Sequence, residues 1–239
     1  WSTNFNIAVN RNEVMKLTEG QDALNPNGLQ PVAVGHSIEA WQVIPYGGVN
    51  PADGRPMWKD ADGNLTYNPD PVDDLRFYDG AEEDLIGGFG TNLQYKGLSL
   101  RAFFQYSFGQ TALPEHVVVW GINQTGGSLT NGIDRRLEEA WKEPGDVAQF
   151  PAPTTAFTYP NSEAGYFTTA TDKFYDASYI RLKNVTLSYS LPPSVTDAAN
   201  IGNVRLYVTG LNLVTWTNYL GYDPEVAGDG ITQASVPVG

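Results

Sequence analysis

The stretch YDASYIRLKNVTLSYSLP, residues 175–192, decides the fold. It alternates as a β-strand does, yet its apolar residues change parity midway. Ile180 and Leu182 fall on even positions, whereas Val185, Leu187, Tyr189 and Leu191 fall on odd ones. Among the latter stand Thr186, Ser188 and Ser190, all small and polar. Successive side chains of a strand point to opposite faces, so this is a strand with two unlike environments. One extra residue flips everything after it, and the parity change therefore predicts a β-bulge at Lys183-Asn184.

Three other segments repeat the pattern. In WSTNFNIAV (1–9), Trp1, Phe5, Ile7 and Val9 share a face opposite Asn4 and Asn6. In GFGTNLQY (88–95), Phe89, Leu93 and Tyr95 oppose Asn92 and Gln94. In LSLRAFFQYSF (98–108), Leu98, Leu100, Ala102, Phe104, Tyr106 and Phe108 oppose Ser99, Arg101, Gln105 and Ser107, and only Phe103 breaks the rule. Two less regular strands are SIEAWQVIPY (37–46) and VRLYVTGLNLVTW (204–216). The latter changes parity near Gly210, a second predicted bulge.

Composition agrees with a strand-and-turn protein. The 239 residues include 6 Trp, 13 Tyr, 10 Phe, 25 Gly and 16 Pro, a mixture that favours β structure. The net charge of −13 would repel phosphate backbones, which excludes nucleic acid as a partner. Cysteine is absent, so there is no disulfide scaffold and no thiol or Cys-based zinc site. No apolar run reaches the roughly 20 residues of a membrane helix. A membrane barrel is still allowed, because its strands alternate and keep average hydropathy low. The chain opens inside a strand at Trp1 and stops at SVPVG, and it reads as a piece of a longer polypeptide.

The spacing of strands is uneven. Lys96-Gly97 alone joins two of them, as a tight hairpin, and PPSVTDAANIGN (192–203) joins two more. By contrast, residues 48–84 and 109–176 are long segments, unusual within a compact soluble domain and ordinary as the external loops of an outer-membrane barrel. Strands over 1–11, 36–47, 86–95, 98–108, 178–191 and 203–216 would alternate in direction and leave both long segments at one end. Residues 13–35 are then a long connection at the other. Residues 49–84 hold ten Asp or Glu against three Lys or Arg, −7 of the total charge, so that loop must be solvated. GIDRRLEEAWKEPG (132–145) predicts a short helix with Ile133, Leu137 and Trp141 on one side, stopped at Pro144-Gly145.

Several stretches resemble the C-terminal barrel region of SusC/RagA-type TonB-dependent outer-membrane transporters. They are DASYIRLKNVTLSYSLP, VRLYVTGLNLVTWTNYLGYDPEV, GGFGTNLQYKGLSLRAFFQYSFG, GVNPADGRPMWKDADGN and WKEPGD followed by FP, in that family's order and at its spacing. The resemblance implies an all-β chain: about six antiparallel strands of a 22-stranded transmembrane barrel, with extracellular loops at about 49–84, 109–176 and 217–239. The family's plug, its TonB-contacting segment and its last strand are absent from the pattern. It implies import of oligosaccharides or peptides across the outer membrane of a Gram-negative bacterium, with a SusD-like surface lipoprotein as lid and TonB acting through the plug. The chain would be barrel wall and not an enzyme. Leu98, Leu100, Phe104, Tyr106, Leu187 and Tyr189 would then face lipid, and Asn92, Gln94, Arg101 and Gln105 the lumen. The competing class is a soluble, secreted glycan-binding β-sandwich, in which the same apolar face is core.

Other motifs have two readings each. Trp58, Trp120, Trp141 and Tyr166 could stack on substrate rings or contact a lid, or they could form the small cores that order long loops. Asp60, Asp62 and Asn64 of DADGN have the spacing of a partial calcium loop but lack its closing Glu; an Asp-Gly turn is the simpler reading, and no metal or other cofactor is expected. His36 and His116 stand alone, so no His-based zinc set or triad can be assembled. The Gly87–Gly90 run is too strand-like for a phosphate cradle and reads as a strand thinned for close packing.

Overall fold

The computed structural model describes residues 1–18, 20–24, 29–78, 80, 82–113, 138–152, 171–220 and 223–226. The chain divides into two units. One comprises Trp1–Asn10, Glu83–Gln110 and Ala177–Tyr219; the other comprises Arg11–Glu82, Thr111–Asp176 and Leu220–Gly239. Among the described residues no helix is long and apolar enough to cross a membrane.

The first unit is a single antiparallel sheet of five strands, β1 (Ser2–Val9), β2 (Leu85–Tyr95), β3 (Leu98–Phe108), β4 (Tyr179–Ser190) and β5 (Arg205–Thr217), neighbours in that order. Val9 pairs with Leu85 and Ser107 with Tyr179, while Leu98 pairs with Tyr95 and Ser190 with Arg205. The segments 10–84 and 109–178 therefore leave from one end of the sheet, and the two short connections close the other. Lys96 and Gly97 have φ of 43° and 86°, the doubly positive geometry of a two-residue turn that follows strand twist. A Cβ on Gly97 would lie 2.7 Å from the Ser190 carbonyl oxygen. In the second short connection a turn of helix, Pro193–Thr196, runs into a 3-10 turn, Asp197–Ala199, closed by left-handed Asn200.

The expected bulge at Lys183 is present. Leu182 and Asn184 are both paired with β5 while Lys183 is skipped, and the β3 partner shifts at the same level, between Phe103 and Phe104. The second break lies two residues beyond Gly210, which stays paired with Val185. Asn212 takes the left-handed φ of 49°, and bare Gly210 leaves room for the Leu213 side chain, which a Cβ would meet at 2.8 Å.

One expected strand is corrected. SIEAWQVIPY does not join the sheet, which holds five strands where six were expected, so residues 10–84 form one excursion from one end. Trp41–Val43 pairs instead with Arg76–Tyr78, and Tyr46–Val49 with Pro56–Lys59, all in the second unit. The pattern that misled is a core pattern: Trp41, Val43 and Ile44 are buried there.

The second unit is built from short hairpins around aromatic rings. Trp41 packs with Leu113, Leu29 and Phe174, and its indole donates to the Thr111 carbonyl at 3.2 Å. Trp58 packs with Ile44, Tyr46 and Leu75. Thr171 ties the unit's separate segments, donating its N–H to the Ile44 carbonyl at 3.1 Å and accepting from the Tyr46 N–H at 3.0 Å. The predicted helix over 132–145 lies largely outside the described residues. What is described is Trp141 bonded to Phe150 and a turn at Gly145, whose N–H reaches the Pro51 carbonyl at 2.8 Å.

Candidate functional site

The strand register sorts the sheet into two faces. On one face the rows read Tyr95–Leu98–Tyr189–Leu206, then Leu93–Leu100–Leu187–Val208, then Phe5–Phe89–Phe104–Leu182–Val214. Phe104 stands between Phe89 and Trp216, with ring centroids 6.1 and 6.3 Å away. Most of this face is uncovered: Phe5 is 63% exposed, Leu206 61% and Val208 65%. All six residues expected to face lipid, Leu98, Leu100, Phe104, Tyr106, Leu187 and Tyr189, lie on it.

The opposite face carries Asn4, Asn6, Asn92, Gln94, Ser99, Arg101, Gln105, Tyr179, Arg181, Thr186, Ser188 and Arg205. Its side chains bond to one another, as half-buried polar groups must. Gln105 Nε2 donates to the Tyr179 hydroxyl at 3.0 Å, Arg181 Nε to Thr215 Oγ1 at 2.9 Å and Arg205 Nη2 to Ser188 Oγ at 2.8 Å. Thr186 and Thr209 hydroxyls meet at 3.0 Å. The four residues expected to face a lumen, Asn92, Gln94, Arg101 and Gln105, are all here. Tyr179, Arg181 and Arg205 were not singled out from the sequence. The signal for the first two was the bulge itself: counting through Lys183 moves Tyr179 and Arg181 onto the face of Thr186 and Ser188.

Charge follows the same division. The sheet unit has five cations, Lys96, Arg101, Arg181, Lys183 and Arg205, against Glu83, Asp84 and Asp197, so it is +2 and the other unit holds −15. At the short-connection end, a recess of about 400 Å³ is lined by Arg101, Arg205, Lys96 and serines. At the long-connection end, a hollow of about 390 Å³ is lined by Asn6, Glu83, Phe103, Gln105, Ser107 and Tyr179.

The glycine run answers the question it posed. A Cβ on Gly88 would sit 2.7 Å from the Phe103 ring and 3.1 Å from Asn6 Oδ1, and one on Gly87 would strike Tyr106 and the Asn6 carbonyl. Bare backbone lets these neighbours lie across β2. Tyr106 uses the space to donate its hydroxyl proton to the Asn6 carbonyl oxygen at 2.8 Å.

One of the rings offered as a platform is corrected, and a second is half-buried. Trp58 is 0% exposed inside the second unit's core, so its ring cannot stack on a substrate. Trp141 lies directly against Gly54, and its indole donates to the Pro51 carbonyl at 2.9 Å, so it anchors that turn. Trp120 and Tyr166 lie outside the described residues. Asp60 of DADGN closes a turn: its Oδ1 accepts from the N–H groups of Asp62 at 3.0 Å and Asn64 at 2.8 Å. The Asn64 N–H, opposed by desolvation, holds the Asp60 carboxyl below its usual value. Among the described residues no three His, Cys, Asp or Glu side chains gather as a metal set. His36 stacks on Phe77 at 3.9 Å.

No family model matches the chain. It is 29% identical over 94% of its length to "TonB-dependent receptor P3" of Formosa agariphila, of which it covers 23%. It is 26% identical over 95% of its length to "TonB-dependent receptor SusC" of Bacteroides thetaiotaomicron, covering 22% of it. Among solved structures, the RagAB peptide transporter superposes with a TM-score of 0.76 at 28% identity over 97% of the chain and 25% of that protein. The chain is similar over nearly its whole length to part of the SusC/RagA-type TonB-dependent transporters. It spans about a quarter of the length of these relatives. They are receptors and transporters, and the all-β antiparallel architecture of this chain matches the corresponding part of RagAB.

Proposed function

We propose that this chain is barrel wall in an outer-membrane, TonB-dependent importer of oligosaccharides or peptides in a Gram-negative bacterium. One observation carries the reading: a single twisted sheet whose uncovered face is apolar and whose other face is a hydrogen-bonded polar surface. That is the inverse of a soluble protein's surface and the pattern a transmembrane barrel requires. A soluble sandwich needs a second layer over the row Leu93–Leu100–Leu187–Val208, where Leu187 is 42% and Val208 65% exposed.

In this reading Leu98, Leu100, Phe104, Tyr106, Leu187 and Tyr189 face hydrocarbon, and Tyr95, Tyr189, Tyr106 and Trp216 sit near the two interfaces. Asn92, Gln94, Arg101 and Gln105 line a water-filled lumen within a 22-stranded barrel. The acidic second unit belongs to the extracellular loops, beneath a SusD-like lipoprotein lid, and a plug elsewhere in the polypeptide couples to TonB. Transport needs no covalent chemistry from the wall, so the chain is not an enzyme and takes no metal. The test uses the full-length parent protein. It should require detergent for solubility and run as a heat-modifiable band. Uptake of its nutrient should cease when TonB is deleted. Quantitative recovery in the aqueous phase without detergent would end this reading.

A further inference from the structure

The hollow at the long-connection end of the polar face has a composition unlike the rest of that face. It runs along β2 where Gly88 presents no side chain, with Asn6 on one flank and Phe103 and Gln105 on the other. Phe103 is the one aromatic residue of β3 on this face, and its ring is 40% exposed while resting on Gly88. The Gln105 amide and Tyr179 hydroxyl are bonded to each other at 3.0 Å and both reach the hollow. Ser107 is 3% exposed, and its Oγ has no hydrogen-bond partner among the described residues. A buried hydroxyl left unpaired costs free energy unless something arrives to bond it. Glu83 adds an acceptor at the rim, and no Lys or Arg lines the space.

We propose that this hollow binds a neutral, hydroxyl-rich ring, that is, one sugar residue of an oligosaccharide cargo. The proposal rests on the import reading and names its substrate class. Amide, phenol and serine hydroxyl each combine donor and acceptor capacity, as vicinal hydroxyl groups do. The Phe103 face supplies the apolar contact for the ring's C–H surface. The absence of a cation from the lining argues against a carboxylate ligand, which the Arg101–Arg205 recess at the other end would suit better. A volume of about 390 Å³ falls in the range of small-ligand sites.

The test is isothermal titration of the full-length protein in detergent. The probes are neutral hexasaccharides, namely α-1,4-, β-1,3- and β-1,4-linked glucans and a β-1,4-mannan, with a neutral hexapeptide as the competing class. At least one glycan is expected to bind, with affinity falling about tenfold in Phe103→Ala and about threefold in Ser107→Ala. Phe103→Tyr should restore binding. Ser107→Ala should keep or slightly raise the wild-type melting temperature, since its hydroxyl bonds nothing among the described residues, which separates loss of site from loss of fold. Unchanged glycan affinity in both variants overturns the proposal, as does binding of the peptide alone or of no glycan. Uptake is measured in parallel. TonB-dependent glycan uptake with unaffected variants defeats only the subsite, whereas uptake independent of TonB defeats the import reading itself.

Discussion

The two units of this chain bury opposite things. In the loop unit Trp41 and Trp58 are within 1% of complete burial, and the unit's sequence holds −15 of charge. In the sheet unit the aromatic and aliphatic face is open, the charge is +2, and the buried residues include the polar Ser107, Gln110, Arg181, Ser188 and Thr196 beside Ala177, Tyr179 and Tyr219. In the proposed barrel, one polypeptide would thus follow two solvents. The loop unit obeys the ordinary rule that apolar area leaves water. The sheet unit fits the bilayer rule that the proposed barrel would follow, under which backbone polar groups are satisfied within the ladder and the apolar side needs no protein cover. The sharpest way to break this comparison is at Trp58. Trp58→Ala should cost about 3–5 kcal/mol of local stability, the usual range for a fully buried large ring. Limited proteolysis should then cut within residues 29–78 while the heat-modifiable band persists. Loss of the barrel band at the same time would mean that the two units fold as one.

The second test reverses the sign. Leu187→Arg puts a charge in the middle of the apolar face, and Gln94→Arg puts the same charge on the polar face. Arginine at the bilayer midplane costs about 2–4 kcal/mol, so the first variant should assemble poorly. The second should assemble normally and alter only the lumen. Equal yields of folded protein from both variants would show that the apolar face is not in hydrocarbon.

Residues 1–9, 88–95, 98–108 and 175–192 showed the sheet because a strand with one apolar and one polar face must alternate, and nothing in its local chemistry competes. The bulge at Lys183 was legible for the same reason. SIEAWQVIPY was not: Trp41, Val43 and Ile44 point into a loop core, and a short strand buried among hairpins has the same composition as a barrel strand. Polar residues on regular strands could be assigned to a face by counting. Arg205 could be assigned to a face by the same counting, and its pairing with Ser190 came only from the structure. Trp58 was left with two readings, platform or loop core, because solvent exposure of a ring in a long loop depends on partners such as Ile44 and Leu75, which no local pattern ties to it.

A third, smaller effect probes how tightly the short-connection end is built. Gly97 has φ of 86° and lies against the Ser190 carbonyl oxygen. Gly97→Ala adds both backbone strain and a collision, for a combined cost of about 1–3 kcal/mol. The expected result is a lower unfolding temperature with the barrel still assembled. Gly63, φ 87°, is the control: a Cβ there meets nothing within 4 Å. Gly63→Ala should carry the strain alone and leave the sheet unit untouched.

The smallest effect is the pH response, and its sign separates the units. Asp70 accepts N–H bonds from Asp73 at 2.9 Å and Val72 at 2.8 Å. Those bonds, Asp73's first, hold its carboxyl below the usual 3.8 despite some desolvation. Asp60 is lowered in the same direction, chiefly by the Asn64 N–H. A folded value below the unfolded one means that both groups contribute stability above pH 3.8, and that the contribution fades as pH falls through their lowered folded values. The loop turns should therefore lose amide-exchange protection on going from about pH 5 to below their usual carboxyl range. The sheet's amides, hydroxyls and guanidiniums do not titrate there, and its protection should stay level. Asp60→Asn with Asp70→Asn keeps side-chain oxygens for both turns but removes the titrating charge. That double variant should flatten the loop profile, and a profile identical to wild type would assign the acid response to other carboxylates.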